Sequence, residues 1–111
     1  MKLPDIIHKN IANFISTCVL HDVKHVYAFG SSITSAFDEA TSDIDLLVEI
    51  EENDPLQKGE KLLSLWDTFE ILFQRKVDLL TDSSIKNPVL RKNIDTNKLL
   101  IYDGRSRKVL V

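Results

Sequence analysis

The sequence predicts an α/β (α+β) domain: a small mixed β-sheet of about four strands flanked by helices, in the order α-β-α-β-α-β-α-β. Three observations point there. Short apolar runs, one of them with a clear period of two, alternate along the chain with longer segments of helical period. Proline follows Asp54 and Asn87, which marks two helix starts between strands. The 111 residues suit one compact domain with a core of its own. That domain is expected to span residues 1–111, with a core over about 3–104 and a basic and apolar tail over 105–111.

The elements follow in order. From Leu3 to about Leu20, Leu3, Ile7, Ile11, Phe14 or Ile15, and Cys18 fall at helical spacing, an amphipathic helix. Val26 to Phe29 is a short apolar run ended by Gly30, hence a strand. Ser31 to about Phe37 opens a short helix, and Glu39 to Ser42 is a loop. Asp43 to Ile50 alternates: Ile44, Leu46, Val48 and Ile50 share one face, and Asp43, Asp45, Leu47 and Glu49 the other. Glu51 to Asp54 is a polar turn. The helix after Pro55 should reach about Gln74, with Leu62, Leu65 or Trp66, Phe69, and Leu72 or Phe73 inward. Gly59 weakens its first turns and marks a candidate late start. Lys76 to Thr81 reads as a third strand. A short helix runs from Asn87-Pro88 to about Asn97, and Leu99 to Tyr102 is the last strand, closed by Gly104.

Composition excludes several classes of function. Cys18 is the only cysteine, so neither an internal disulfide nor a cysteine zinc site can form. Its apolar neighbours suit a buried, inert thiol. His21 and His25 flank a helix-to-strand junction and read as junction residues rather than a metal pair. No apolar run approaches the ~20 residues of a membrane span. Pro4, Asp5, His8 and Lys9 interrupt the apolar residues of MKLPDIIHKN, unlike a signal peptide. The expected location is the cytoplasm. Net charge is −3 but unevenly spread: residues 1–85 hold 7 Lys and Arg against 15 Asp and Glu, and residues 86–111 hold 7 against 2. Overall acidity argues against direct nucleic-acid binding, which needs a basic face. The basic end suits a solvated surface, or a phosphate or acidic partner.

The stretch FGSSITSAFDEATSDIDLLVEI, Phe29 to Ile50, carries the chemistry. Asp43 and Asp45 are one residue apart on a strand, so both carboxylates leave the same face, with β-carbons roughly 6–7 Å apart. Like charges so placed raise each other's pKa, and a divalent cation between them removes the repulsion. Mg²⁺ takes hard oxygen ligands, usually one or two carboxylates plus phosphate oxygens. Asp78, mid-strand in KVDLLT, can join them if the third strand lies beside the second. Two metals ~3.5–4 Å apart could then hold the attacking and leaving oxygens of an in-line phosphoryl displacement. Gly30 lets backbone approach a phosphate, and the Ser31 and Ser32 hydroxyls can donate to its oxygens. Neither a Walker A loop nor a Rossmann glycine fingerprint is present.

Gly-Ser after a strand, eleven residues, Asp-x-Asp leading an apolar strand, and a later mid-strand aspartate together resemble the minimal nucleotidyltransferases, small members of the DNA polymerase β-like superfamily. The matching residues are Gly30, Ser31, Asp43, Asp45 and Asp78. VYAFGSS, SDIDLLVEI, DPLQKGEKLLSLWDTFEILFQRKVDLLT, SSIKNPVLRKNID and KLLIYDG extend the likeness from about residue 3 to Gly104. Two departures stand out. The spacer is one residue longer than the common pattern, and Ser32, Thr34 and Ser35 stand where many relatives carry Arg and a second Gly. Ser32, or a basic residue from elsewhere such as Arg75 or Lys76, is a candidate substitute for that arginine.

The resemblance implies a polymerase β-like fold and transfer of a nucleoside monophosphate, AMP from ATP first, to a hydroxyl, releasing pyrophosphate. On it, Asp43 and Asp45 hold two Mg²⁺ ions, Asp78 holds the one at the acceptor, and Gly30, Ser31 and Ser32 grip the phosphates. With no acceptor domain expected, the acceptor would be another chain. Relatives of this size are commonly antitoxins of HEPN-domain toxins, so a HEPN-domain toxin is the expected partner, in a homo- or hetero-oligomer. Two alternatives stay open: a non-catalytic module that neutralises a toxin by contact, and a nucleotidyltransferase acting on a small molecule.

Overall fold

The computed structural model describes residues 2–34 and 43–111. The second half of the helix expected after Ser31 and the loop Glu39–Ser42 lie outside these. The helices are α1 (Leu3–Lys9), α2 (Ile11–Leu20), α3 (Pro55–Phe73) and α4 (Pro88–Asn97), and the strands β1 (Val23–Phe29), β2 (Ile44–Ile50), β3 (Val77–Leu80), β4 (Leu99–Asp103) and β5 (Lys108–Val109). They form one mixed sheet, β3-β2-β1-β4-β5. β1 is antiparallel to β2 and β4, whereas β2 and β3 run parallel. Helices flank the sheet as expected. No described helix is long and apolar enough to cross a membrane.

The first helix is two. The chain breaks at Asn10, whose Nδ2 donates to the Ile6 carbonyl at 3.1 Å. An asparagine side chain that bonds its own backbone competes with the helix ladder. The break shifts the helical phase. Leu3, Ile6 and Ile7, then Phe14, Thr17 and Cys18, face inward, and Ile11 is left 40 % exposed rather than buried. β1 starts at Val23, three residues earlier than its apolar run indicates, because Asp22 turns the chain with φ 54°. α3 begins at Pro55 and runs unbroken through Gly59, around which lies open space. Its N-cap residue Asp54 makes no side-chain cap, whereas Asn87 caps α4 by accepting from the Val89 and Leu90 N–H groups.

A fifth, two-residue strand joins the four expected. Gly104 makes the turn possible. Its N–H donates to the Lys24 carbonyl at 2.8 Å, and a β-carbon there would sit 2.3 Å from the Val23 carbonyl oxygen. The Asp103 carboxylate then accepts from Arg105 N–H and Ser106 Oγ. The tail thus returns to the sheet, and Val109 and Val111 pack on the core.

The two faces of the sheet are covered unequally. α1, α2 and α3 bury one face, where Ile44, Leu46, Val48 and Ile50 meet Leu65, Phe69 and Phe73. Phe14 stacks on Phe69 at 5.5 Å and meets Tyr102 edge-on at 5.9 Å. Trp66 lends its indole N–H to the Val77 carbonyl at 2.7 Å, fixing α3 against β3. On the other face a smaller cluster of Phe29, Leu47, Ile85 and Ile94 anchors α4. Leu47, placed among polar residues by the alternation, is buried here. Each such large apolar side chain contributes ~1.5–3 kcal/mol relative to exposure. Asp45 and Asp78 lie on this face, beside the part that α4 covers.

Candidate active site

The site forms where β1 ends against the beginnings of β2 and β3. Register sets it: Phe29 pairs with Asp45, and Asp45 with Asp78. Side chains in register on neighbouring strands share a face at close range, so Asp45 and Asp78 meet. The next residue of the β1 row is Gly30, which turns the chain at φ 64° into the short 3-10 turn Gly30–Ile33. A β-carbon at Gly30 would lie 2.6 Å from Asp45 Oδ2. Glycine is required there twice, by the left-handed backbone and by the carboxylate against it.

The serines of this turn do different things. Ser32 is 4 % exposed, and its Oγ accepts the Asp45 N–H at 2.9 Å. It therefore fixes the backbone that carries the aspartate. Ser31 is half-buried, and its side chain makes no hydrogen bond among the described residues, while its carbonyl accepts from the Thr34 N–H and hydroxyl. The Ser31 hydroxyl is thus without a partner among the described residues, and Ser32 keeps its O–H to donate.

Asp45 is electrostatically strained. Its pKa is pushed up to about 6, first by burial, then by the charge of Asp78 and a hydrogen bond to the Asp78 side chain, and last by Asp43. Burial and the neighbouring Asp78 carboxylate thus make the Asp45 negative charge costly, and a nearby positive charge would relieve that cost. Asp43 stands apart from them. Its Oδ2 lies 3.8 Å from Lys76 Nζ, with the lysine side chain largely and the aspartate partly in solvent. Among the described residues no three acidic, histidine or cysteine side chains converge closely enough to hold one ion. Asp45 and Asp78 are brought together as expected, and Asp43 is at their edge rather than in contact.

Of the two basic candidates for the absent arginine, Lys76 is the one at this edge. Arg75 lines a separate cavity with Ile6, Lys9 and Asn10. His21 bonds Thr17 and Ser64, and His25 lies between Glu49 and Asp103, so neither acts with the other. Much of the basic end is engaged within the chain: Arg91 pairs with Asp82 at 3.0 Å, and Lys98 pairs with Asp95 and lies over the Tyr27 ring. Arg105 and Arg107 line a pocket with Asp22 and Glu51 at the far end of β1.

A cleft of about 970 Å³ opens over Gly30, Asp45 and Asp78, within the ~300–1,000 Å³ usual for small-molecule sites. Its far wall is α4, which contributes Leu90, Asn93, Ile94 and Asn97. The sequence reading singled out none of these four. Their spacing of three, one and three marks a single helical face, a signal present in the sequence but without a direction until Ile94 is seen to pack on the sheet.

This arrangement has known relatives. The family model for polymerase beta nucleotidyltransferases matches residues 9–107. The chain belongs to that family and is a nucleotidyltransferase. The Methanocaldococcus jannaschii protein MJ1379, which carries protein adenylyltransferase in its name, is 39 % identical over 82 residues, covering 74 % of this chain and 78 % of its own. A solved structure described as a minimal nucleotidyltransferase is 28 % identical with a TM-score of 0.60, over 89 % of this chain and 95 % of that one. A complex of tri-AMPylated Shewanella oneidensis HEPN toxin with an MNT antitoxin shares the fold at 20 % identity and a TM-score of 0.53, over 89 % of this chain and 74 % of that one.

Proposed function

We propose that this chain transfers AMP from ATP to a hydroxyl of a partner protein, in the presence of Mg²⁺, and that it is the antitoxin of a HEPN-domain toxin. The observation that carries the reading is the Asp45–Asp78 carboxyl pair at the base of an open cleft, with Gly30 against it. The MJ1379 name and the AMPylated toxin complex supply the adenylyl group and the class of acceptor.

The donor set suits a divalent cation. It offers hard carboxylate oxygens only, and the upward pressure of burial and Asp78 on the Asp45 carboxyl marks a place where positive charge is favoured. Asp45 and Asp78 would hold Mg²⁺, with Asp43 joining by leaving Lys76. Bound there, the ion supplies neutralisation of the phosphate charge. The chain's own residues do the rest. Gly30 and the Ser31 hydroxyl receive the β- and γ-phosphates. Asp78 orients the acceptor hydroxyl at the α-phosphorus. The acceptor oxygen–phosphorus bond forms as the bond to pyrophosphate breaks, and the proton of the acceptor hydroxyl is released to water. Catalysis is then chiefly positioning and charge stabilisation.

The test is intact-mass analysis of a HEPN-domain partner after incubation with this protein, Mg²⁺ and each nucleoside triphosphate in turn. A gain of one or more AMP residues with ATP supports the reading. No gain with any triphosphate counts against it. A second reading, neutralisation by contact alone, is favoured by one observation: Asp43 is paired with Lys76 instead of converging on Asp45. An Asp43→Asn, Asp45→Asn double variant separates the two, because full neutralisation by that variant would make catalysis dispensable.

A further inference from the structure

The wall of the cleft opposite the carboxyl pair has a composition that phosphate transfer does not need. Phe29 and Leu80 lie beneath it, Leu90 is 40 % exposed along it, and Ile94 pins α4 to the sheet. Asn93 and Asn97 stand over this apolar ground, one helical turn apart. Asn97 Nδ2 donates to the Asn93 carbonyl oxygen at 3.0 Å. A carbonyl only accepts, so Nδ2 is the atom turned to the helix, and Oδ1 together with the second Nδ2 N–H of this exposed side chain is left for a ligand. The Asn93 side chain makes no hydrogen bond among the described residues, and both residues line the same cleft as Asp45 and Asp78.

We propose that this face of α4 holds the base of the donor nucleotide and selects adenine, with Asn97 Oδ1 accepting from the exocyclic amino group and Asn93 reading the adjoining edge. This deepens the reading above and rests on it. A nucleotide whose phosphates lie at Gly30 and the aspartates must place its base elsewhere in the same cleft. Flat, weakly polar heterocycles gain from an apolar surface, whereas phosphates do not. An acceptor turned to the base discriminates further: adenine presents an amino group where guanine presents a carbonyl, and a carboxamide can pair with adenine through two bonds. An acceptor at Asn97 facing guanine would set two oxygens against each other.

The experiment is calorimetric binding of ATP, GTP and inorganic tripolyphosphate, each with Mg²⁺ and no acceptor protein, to the full chain and to Asn97→Ala and Asn93→Ala. Thermal melts confirm folding. The wild type should prefer ATP to GTP by about tenfold or more, the scale of one good base contact. Asn97→Ala should weaken ATP by about that factor and leave GTP and tripolyphosphate unchanged, so that selectivity collapses. An ATP-to-GTP ratio unchanged in both variants would overturn the inference while leaving AMP transfer standing. So would an equal loss for all three ligands, which would mean a displaced helix rather than a lost base contact. A wild type that binds no nucleotide overturns the functional reading and this inference together.

Discussion

Asp45 keeps a proton near pH 6 because burial and Asp78 both oppose its charge. In the unfolded chain the same group titrates near 3.8. Between these values the folded state binds the extra proton, so this group's contribution to stability falls as pH rises from about 4 to about 6. A melting series across that window should show Asp45→Asn flattening the decline. Added Mg²⁺ should stabilise the wild type more at pH 7 than at pH 5, since the ion competes with the proton; equal stabilisation at both would argue against binding at this pair. Gly30→Ala is expected to cost at least ~1–2 kcal/mol from its left-handed backbone alone. It should also displace the Asp45 carboxylate, so nucleotide transfer should fall further than stability does, by about a hundredfold if the geometry moves by an ångström. Gly30, Asp45 and Asp78 were legible in the sequence because strand period and glycine punctuation are local signals. The Lys76 pairing of Asp43 and the anchoring role of Ser32 were not. Both depend on how loops meet across the sheet, where Ile44 N–H donates to the Lys76 carbonyl and Asp45 N–H to Ser32.

Among the elements, α4 has the most to do with the site and the least to hold it. One buried residue, Ile94, the Asn87 cap and the Arg91 bonds to Asp82 hold it over the cleft. Replacing Asn87 with Ala should cost about 0.5–2 kcal/mol in chemical denaturation, the usual value of such a cap. Ile94→Ala should cost about 2–5 kcal/mol and weaken nucleotide binding as well, because the wall of the cleft loses its anchor. A variant that loses stability while binding ATP as tightly as the wild type would detach α4 from ligand recognition. Asn-Pro and helical period made α4 visible in the sequence. The division of the first helix at Asn10 was not visible, because its apolar residues fit one continuous helix until the side-chain bond to Ile6 is known. β5 was hidden for another reason: two residues are too few for a periodic signal, and only the Gly104 turn brings them back to β4.

At the scale of the whole molecule, the two faces of the sheet differ, and the proposed site lies on the less covered of them among the described residues. Among the described residues three helices close one face, and α4 on the other leaves Gly30, Asp45 and Asp78 lining a cleft. Strand order β3-β2-β1-β4-β5 makes that row, and order is a property of pairing that no local pattern encodes. The sequence placed the three aspartates on strands, and only the parallel pairing of β2 with β3 put Asp78 beside Asp45 and left Asp43 at the margin. The most direct measurement is pyrophosphate release from ATP with Mg²⁺ and a HEPN-domain acceptor, followed for the wild type, Asp45→Asn and Asp78→Asn. The expected result is steady release by the wild type and a loss of about a hundredfold or more in each variant, as for removal of a main electrostatic contributor. Release by either variant at the wild-type rate would contradict a catalytic role for the carboxyl pair.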